Sequence, residues 1–196
     1  MKKLVVASNN ADKIEEIKEM LKDSVWQVLS QGDMGIDIDV EETGETFAEN
    51  AYLKAKAVFD LCREVTIADD SGLCVDFLGG HPGVHSKRFT AEASSKSNNL
   101  KLLEVLKDVK EKERGAKFVC AMACILPTGD HFTVQGECAG EIGFSQAGEN
   151  GFGYDSLFIP VGYKNTFAQM SPDEKNTLSH RFKALSGLKD KLNKLD

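Results

Sequence analysis

Basic residues are in the minority: Lys and Arg number 24 against 31 Asp and Glu, a formal charge of −7. That balance argues against a nucleic-acid groove held by excess positive charge, whereas a free nucleotide needs only a local cationic patch and a metal. Long apolar runs are missing too. The run over 118–126 is far short of the roughly 20 residues that cross a bilayer, and the N-terminal stretch turns polar at Ser8, too early for a signal-peptide core. Cysteine is sparse and odd in number, five residues scattered through apolar segments, which argues against a disulfide framework. Cys120 and Cys124, on one expected strand, would lie about 13 Å apart, so buried reduced thiols are expected rather than a metal pair. Repeats, low-complexity tracts and clear linkers are absent. The chain therefore reads as a cytoplasmic protein of one domain, residues 1–196, with two lobes. Such a chain buries about 70% of the surface its unfolded form exposes.

What is present alternates between strand and helix signals, then turns β-rich. Lys3-Leu4-Val5-Val6-Ala7 is a short apolar run, and Ile14, Ile17 and Leu21 recur at helical spacing, which predicts strand, loop, helix. Thr46 and Glu49 form a capping-box signature ahead of Phe47, Ala51, Ala55 and Val58 on one helical face. Residues 65–68 and 73–78 read as two strands, and Leu102, Leu103 and Leu106 mark another helix. Residues 118–126 and 131–138 read as strands joined through Pro127-Thr128-Gly129-Asp130. Phe182, Leu185, Leu188, Leu192 and Leu195 predict a final helix.

Two acidic doublets, Glu41-Glu42 and Asp69-Asp70, each follow an apolar run read as a strand. Carboxylates clustered beside a core are costly unless they bind a cation or catalyse, and hard oxygen ligands suit Mg²⁺. For Glu41-Glu42 a solvated turn is the plain alternative. In an extended segment neighbouring side chains point to opposite faces, so one of Asp69 and Asp70 faces a site while the other supports it. Ser8-Asn9-Asn10-Ala11-Asp12-Lys13 lacks the glycines of a Walker A motif. It is either a phosphate cradle at a helix N-terminus or simply an Asn10-capped helix with a solvated lysine. Gly151-Phe152-Gly153-Tyr154-Asp155 presents a ring between glycines, suited to stacking on a purine or to a tight turn with Phe152 in the core. Ser179 suits a helix cap, which leaves His180 and Arg181 in the first turn; Arg181 either donates to a purine 6-oxo group or is solvated.

These blocks, with Glu42-Thr43-Gly44-Glu45-Thr46-Phe47-Ala48-Glu49-Asn50-Ala51, Lys54, Gly79-Gly80-His81-Pro82-Gly83-Val84 and Ser179-His180-Arg181, stand in one order along the whole chain. In that order the sequence resembles the inosine triphosphate pyrophosphatase family, especially its bacterial XTP/dITP branch. The resemblance implies an α/β fold, an elongated mixed sheet in two lobes around a central nucleotide-binding cleft. It also implies a homodimer and Mg²⁺-dependent hydrolysis of ITP, dITP and XTP to a monophosphate and pyrophosphate. Asp70 would be metal ligand and general base beside Asp69, with Glu41 or Glu42 as second metal carboxylate and Glu41 slightly preferred. Lys13, Lys54 and Lys175 would face the phosphates, and Ser71 would donate to a phosphate oxygen or cap a turn. Ser8, Asn9, Asn10, Ala11, Asp12 and Lys13 would hold the phosphates; Phe152, Gly153, Tyr154, Asp155, His180 and Arg181 would hold the base. Where that family has Val-Tyr-Ser-Ala-Arg, this chain has Val84-His85-Ser86-Lys87-Arg88, so altered packing and an altered dimer surface are expected there. Two other readings are a pyrophosphatase of modified pyrimidine or ordinary deoxynucleotides, separable by a substrate panel, and a nucleotide sensor without turnover, separable by pyrophosphate release.

Overall fold

The structure, a computed structural model, describes residues 2–194. In chain order its regular elements are β1 (Lys2–Val6), α1 (Ala11–Leu21), β2 (Trp26–Ser30), α2 (Phe47–Cys62), β3 (Val65–Val75), α3 (Ser95–Val105), β4 (Gly115–Ile125), β5 (His131–Ile142), β6 (Phe158–Pro160), α4 (Pro172–Leu178) and α5 (His180–Leu192). The six strands form one sheet in the order β2-β1-β3-β4-β5-β6. β1 runs parallel to both β2 and β3, while β5 and β6 are antiparallel, so the sheet is mixed, as expected.

The chain forms two compact units, residues 1–70, 120–136 and 183–196 in the first, and 71–119 and 137–182 in the second. In the first unit strand alternation builds a core on each face of the sheet. Leu4, Val6, Ile67, Met122 and Cys124 pack with Ile17 and Leu21 of α1 and Leu185, Leu188 and Leu192 of α5. Val5, Ala7, Ala68, Ala123 and Ile125 pack on the other side with Ala51, Ala55, Val58 and Phe59 of α2. The small alanines of α2 let that helix lie close to the strands, and its capping box of Thr46 and Glu49 is formed as its sequence requires. The second unit is built around Leu73, Leu102, Leu106, Phe118, Phe158 and Phe167.

A buried arginine braces this second core. Arg114 is 2% exposed, and its guanidinium donates to the carbonyls of Ile142 (2.7 Å), Leu106 (2.7 Å), Gly143 (2.8 Å) and Val109 (3.4 Å). Its planar fork satisfies the end of α3 and the end of β5 together, which a lysine ammonium cannot match. Arg114→Ala removes the guanidinium donor from each of these carbonyls, and a buried bond to a charged group is worth about 1.5–3 kcal/mol. Urea unfolding of that variant is therefore expected to show a loss of about 3 kcal/mol or more, with Arg114→Lys in between; an unchanged midpoint contradicts this role.

Several local expectations are corrected. Residues 65–75 form one strand, not two, so Asp69 and Asp70 sit in mid-strand and not where the chain leaves the sheet. Residues 76–78 turn away as a 3₁₀ segment. Residues 36–40 ahead of Glu41-Glu42 are not strand. β2, β6 and α4 were not anticipated, although Ser171 with Pro172 and Glu174 is a capping box with proline at the first helical position. All five cysteines are free, but Cys62 and Cys74 are only half-buried. Leu195 lies outside the described residues. No helix among the described residues is long and apolar enough to cross a membrane.

Candidate active site

The first unit gathers two buried lysine–carboxylate assemblies around the doublet of β3. The Lys54 ammonium lies 2.5 Å from Glu42 Oε1 and 3.3 Å from Asp70 Oδ1, with its side chain 15% exposed. Asn50, one helical turn earlier on α2 and wholly buried, donates to Asp70 Oδ2 at 3.3 Å and accepts from Gly44 N at 2.7 Å. Gly44 is needed for that contact, because a Cβ there would stand 2.7 Å from Glu49 Cβ and 2.8 Å from Asn50 Oδ1. On the opposite face of β3, Asp69 Oδ2 meets Lys13 Nζ at 2.8 Å. The alternation expected for the doublet thus gives each aspartate its own lysine.

Burial raises the Asp70 carboxyl above its ordinary range; Lys54 opposes this, Glu42 adds to it, and Lys13 and the Asn50 bond oppose it. Burial alone would lower Lys54, but Asp70, Asp69 and Glu42 reverse that and hold its ammonium charged. A carboxyl raised above its ordinary range is a better proton acceptor than an exposed one. Glu42 and Asp70, rather than Glu41, converge on a single cation; Glu41 is exposed. Among the described residues no three or more His, Cys, Asp or Glu come together. Two converging hard carboxylates are nonetheless the donor set Mg²⁺ takes when phosphate oxygens and water complete its shell.

The loop before α1 is capped as its sequence suggests. Asn10 Oδ1 accepts from Lys13 N at 3.2 Å, Ser8 Oγ accepts from Asn10 N at 3.1 Å, and Asn9 Nδ2 reaches Ile38 O at 3.2 Å. Asn9, Asn10, Ala11 and Asp12 are exposed, and the first turn of a helix offers backbone N–H groups to anions. Lys13 is not solvated: its side chain is 16% exposed and engaged with Asp69. Ser71 stands within β3, which removes the expectation that it caps a turn.

The remaining expected residues lie in the second unit. Asp155 accepts from Phe152 N at 2.9 Å and from Lys175 Nζ at 2.8 Å, which ties the glycine-flanked turn to α4. The half-buried Phe152 ring has Lys175 Nζ at 5.0 Å and the Arg181 guanidinium at 5.7 Å from its centroid. Lys175 therefore belongs with Phe152 and Asp155, where it was expected among phosphate-binding lysines. Arg181 is 2% exposed, which sets aside the solvated alternative. Ser179 Oγ accepts from Phe182 N at 3.1 Å, while His180 is 5% exposed and stacks on Phe118 at 4.7 Å and 11°. Tyr154 is buried and donates from its hydroxyl to Ser86 O at 2.8 Å. His85 and Lys87 are exposed on the 3₁₀ segment Gly83–Arg88, so the packing there is made by the buried Ser86 and is untouched by the two departures.

Asn50 was missed by the sequence reading. Its signal was a polar residue four positions before Lys54 on the apolar face of α2, a place where an uncommitted amide would be costly.

The sequence model of the Ham1 family matches residues 4–191. A dITP/XTP pyrophosphatase of Clostridium perfringens is 48% identical, with 98% of each chain covered, and one of Bacillus subtilis is 42% identical, with 96% of each covered. Among solved structures, a Staphylococcus aureus Ham1 protein is similar over all of both chains at TM-score 0.89 and 39% identity. A HAM1 protein from Coxiella burnetii reaches TM-score 0.90 at 36% identity, covering 99% of this chain and 100% of its own. With its mixed sheet, its paired aspartates and this full-length likeness taken together, the chain belongs to the Ham1 family.

Proposed function

We propose that the protein hydrolyses aberrant purine nucleoside triphosphates, ITP, dITP and XTP, to a nucleoside monophosphate and pyrophosphate with Mg²⁺. The observation that carries this is the Asp70 carboxyl, raised by burial and held between Lys54 and Asn50, in a chain whose relatives are named dITP/XTP pyrophosphatases. Asp70 takes the proton of a water whose oxygen bonds to the α-phosphorus, and the bond from that phosphorus to the bridging oxygen breaks, releasing pyrophosphate. Lys54 and Lys13 supply fixed positive charge for the leaving group. Glu42 and Asp70 would hold Mg²⁺, which supplies Lewis-acid neutralisation of the phosphate oxygens. The loop 8–13 offers its exposed helix N-terminus to phosphate, and Phe152 with Arg181 takes the base.

A panel of nucleoside triphosphates with product identification tests this. The expected result is monophosphate plus pyrophosphate from the three substrates, abolished by excess EDTA and restored by Mg²⁺. Orthophosphate as the first product, or full turnover in EDTA, overturns it. The same reading includes a homodimer and a cytoplasmic location.

A further inference from the structure

Asn99 lies on α3, outside every group assigned a role above, and is 3% exposed. Its Nδ2 has three acceptors within reach: Gly153 O at 3.0 Å, Gln146 Oε1 at 3.2 Å and Ser156 Oγ at 3.2 Å. A backbone carbonyl only accepts, so the amide nitrogen and not the oxygen must face this turn. The same orientation leaves Asn99 Oδ1 buried with no partner among the described residues. An apolar residue of similar size would avoid that loss, so the amide is retained for what its nitrogen does. Asp155 holds the turn at Phe152 N, and Asn99 holds it at the next residue's carbonyl. Gly151 and Gly153 both have positive φ, 71° and 62°, so without its anchors this segment has many backbone states open to it.

We propose that Asn99 is a positioning residue for base recognition: its amide fixes Gly153, and through Gly153 the Phe152 ring, where a purine stacks. This rests on the reading above that the Phe152 turn takes the base. Asn99 touches no substrate. Its effect falls on affinity for the half of the substrate that carries the base, and not on the events at phosphorus.

The two products separate those halves, since IMP carries the base and pyrophosphate does not. Inhibition by each is measured alongside KM and kcat for ITP in the wild type, Asn99→Ala, Asn99→Asp and Phe152→Ala. Asn99→Asp keeps the volume and, when ionised, removes both donors, and it serves if the alanine variant does not fold. Both Asn99 variants are expected to weaken IMP inhibition and raise KM for ITP by about tenfold, with pyrophosphate inhibition and kcat unchanged. If Phe152→Ala weakens IMP inhibition and the Asn99 variants do not, the role of Asn99 is overturned while the base site stands. If none of the variants alters IMP inhibition, the base-site reading falls and the role of Asn99 falls with it. Equal weakening of IMP and pyrophosphate in the Asn99 variants also overturns the proposal, because it marks a general defect of folding.

Discussion

Asp70→Asn is expected to lose about 10²–10⁴-fold or more in turnover while the protein stays folded, since general-base catalysis alone is worth that much. Asparagine keeps the volume and still offers an oxygen to Lys54, so the geometry around Lys54 and Glu42 survives. What disappears is the proposed proton acceptor for water. The folded-state carboxyl is raised above its unfolded value, chiefly by burial. A raised carboxyl costs nothing at low pH, where it is neutral in both states. Its ionisation works against folding from the unfolded pKa upward, and that cost is fully present only above the raised folded pKa. An amide removes it, so the variant's thermal melt above that pH should show no loss. Wild-type kcat/KM should fall on the acid side at a pH above the ordinary carboxylate range, and that limb should vanish from the residual activity of the variant. A folded variant with near wild-type turnover would move the role to Asp69, which Lys13 already holds on the opposite face of β3.

Arg181→Ala is expected to lower kcat/KM for ITP by about 10²-fold and to leave ATP hydrolysis nearly unchanged, so that the ITP-over-ATP ratio collapses. ITP presents an oxygen at position 6 where ATP presents an amino group. A guanidinium donor is satisfied by the first and faces a second donor with the other. Arg181 is 2% exposed and stands over the Phe152 ring, so this contact is desolvated and its loss exceeds that of a surface bond. Steady-state kinetics on both nucleotides gives the answer. An unchanged ratio would place 6-oxo selection on backbone amides of the turn other than Phe152 N, which Asp155 already occupies.

The parts of this molecule that follow local rules were legible in the sequence. The capping box of α2, the Asn10 cap of α1 and the apolar stripe of α5 depend on residues three or four apart, and spacing encodes them. The pairing of Asp69 with Lys13 and of Asp70 with Lys54 was only half visible: strand alternation separates the aspartates, but which lysine meets which depends on contacts more than a dozen residues apart. The strand break expected at the doublet failed for a related reason. Two adjacent carboxylates read as an exit from the sheet, yet each meets a lysine, so the polar pair is tolerated inside a continuous buried strand. Glu41 was preferred to Glu42 because a coil offers no periodicity to say which neighbour turns inward. Lys175 was grouped with the phosphate lysines by its charge, since nothing local reveals a partner twenty residues away in Asp155.

Lys54 gives the protein a resident counter-ion. Because its ammonium already sits between Glu42 and Asp70, it offsets much of the repulsion between the two carboxylates without a divalent ion. On the proposed Mg²⁺ chemistry the carboxylates would therefore be held together before the metal arrives, unlike domains whose metal is their core. On that same reading, starvation for magnesium would silence the protein without damaging it, and the return of the ion would find the carboxylates already in place.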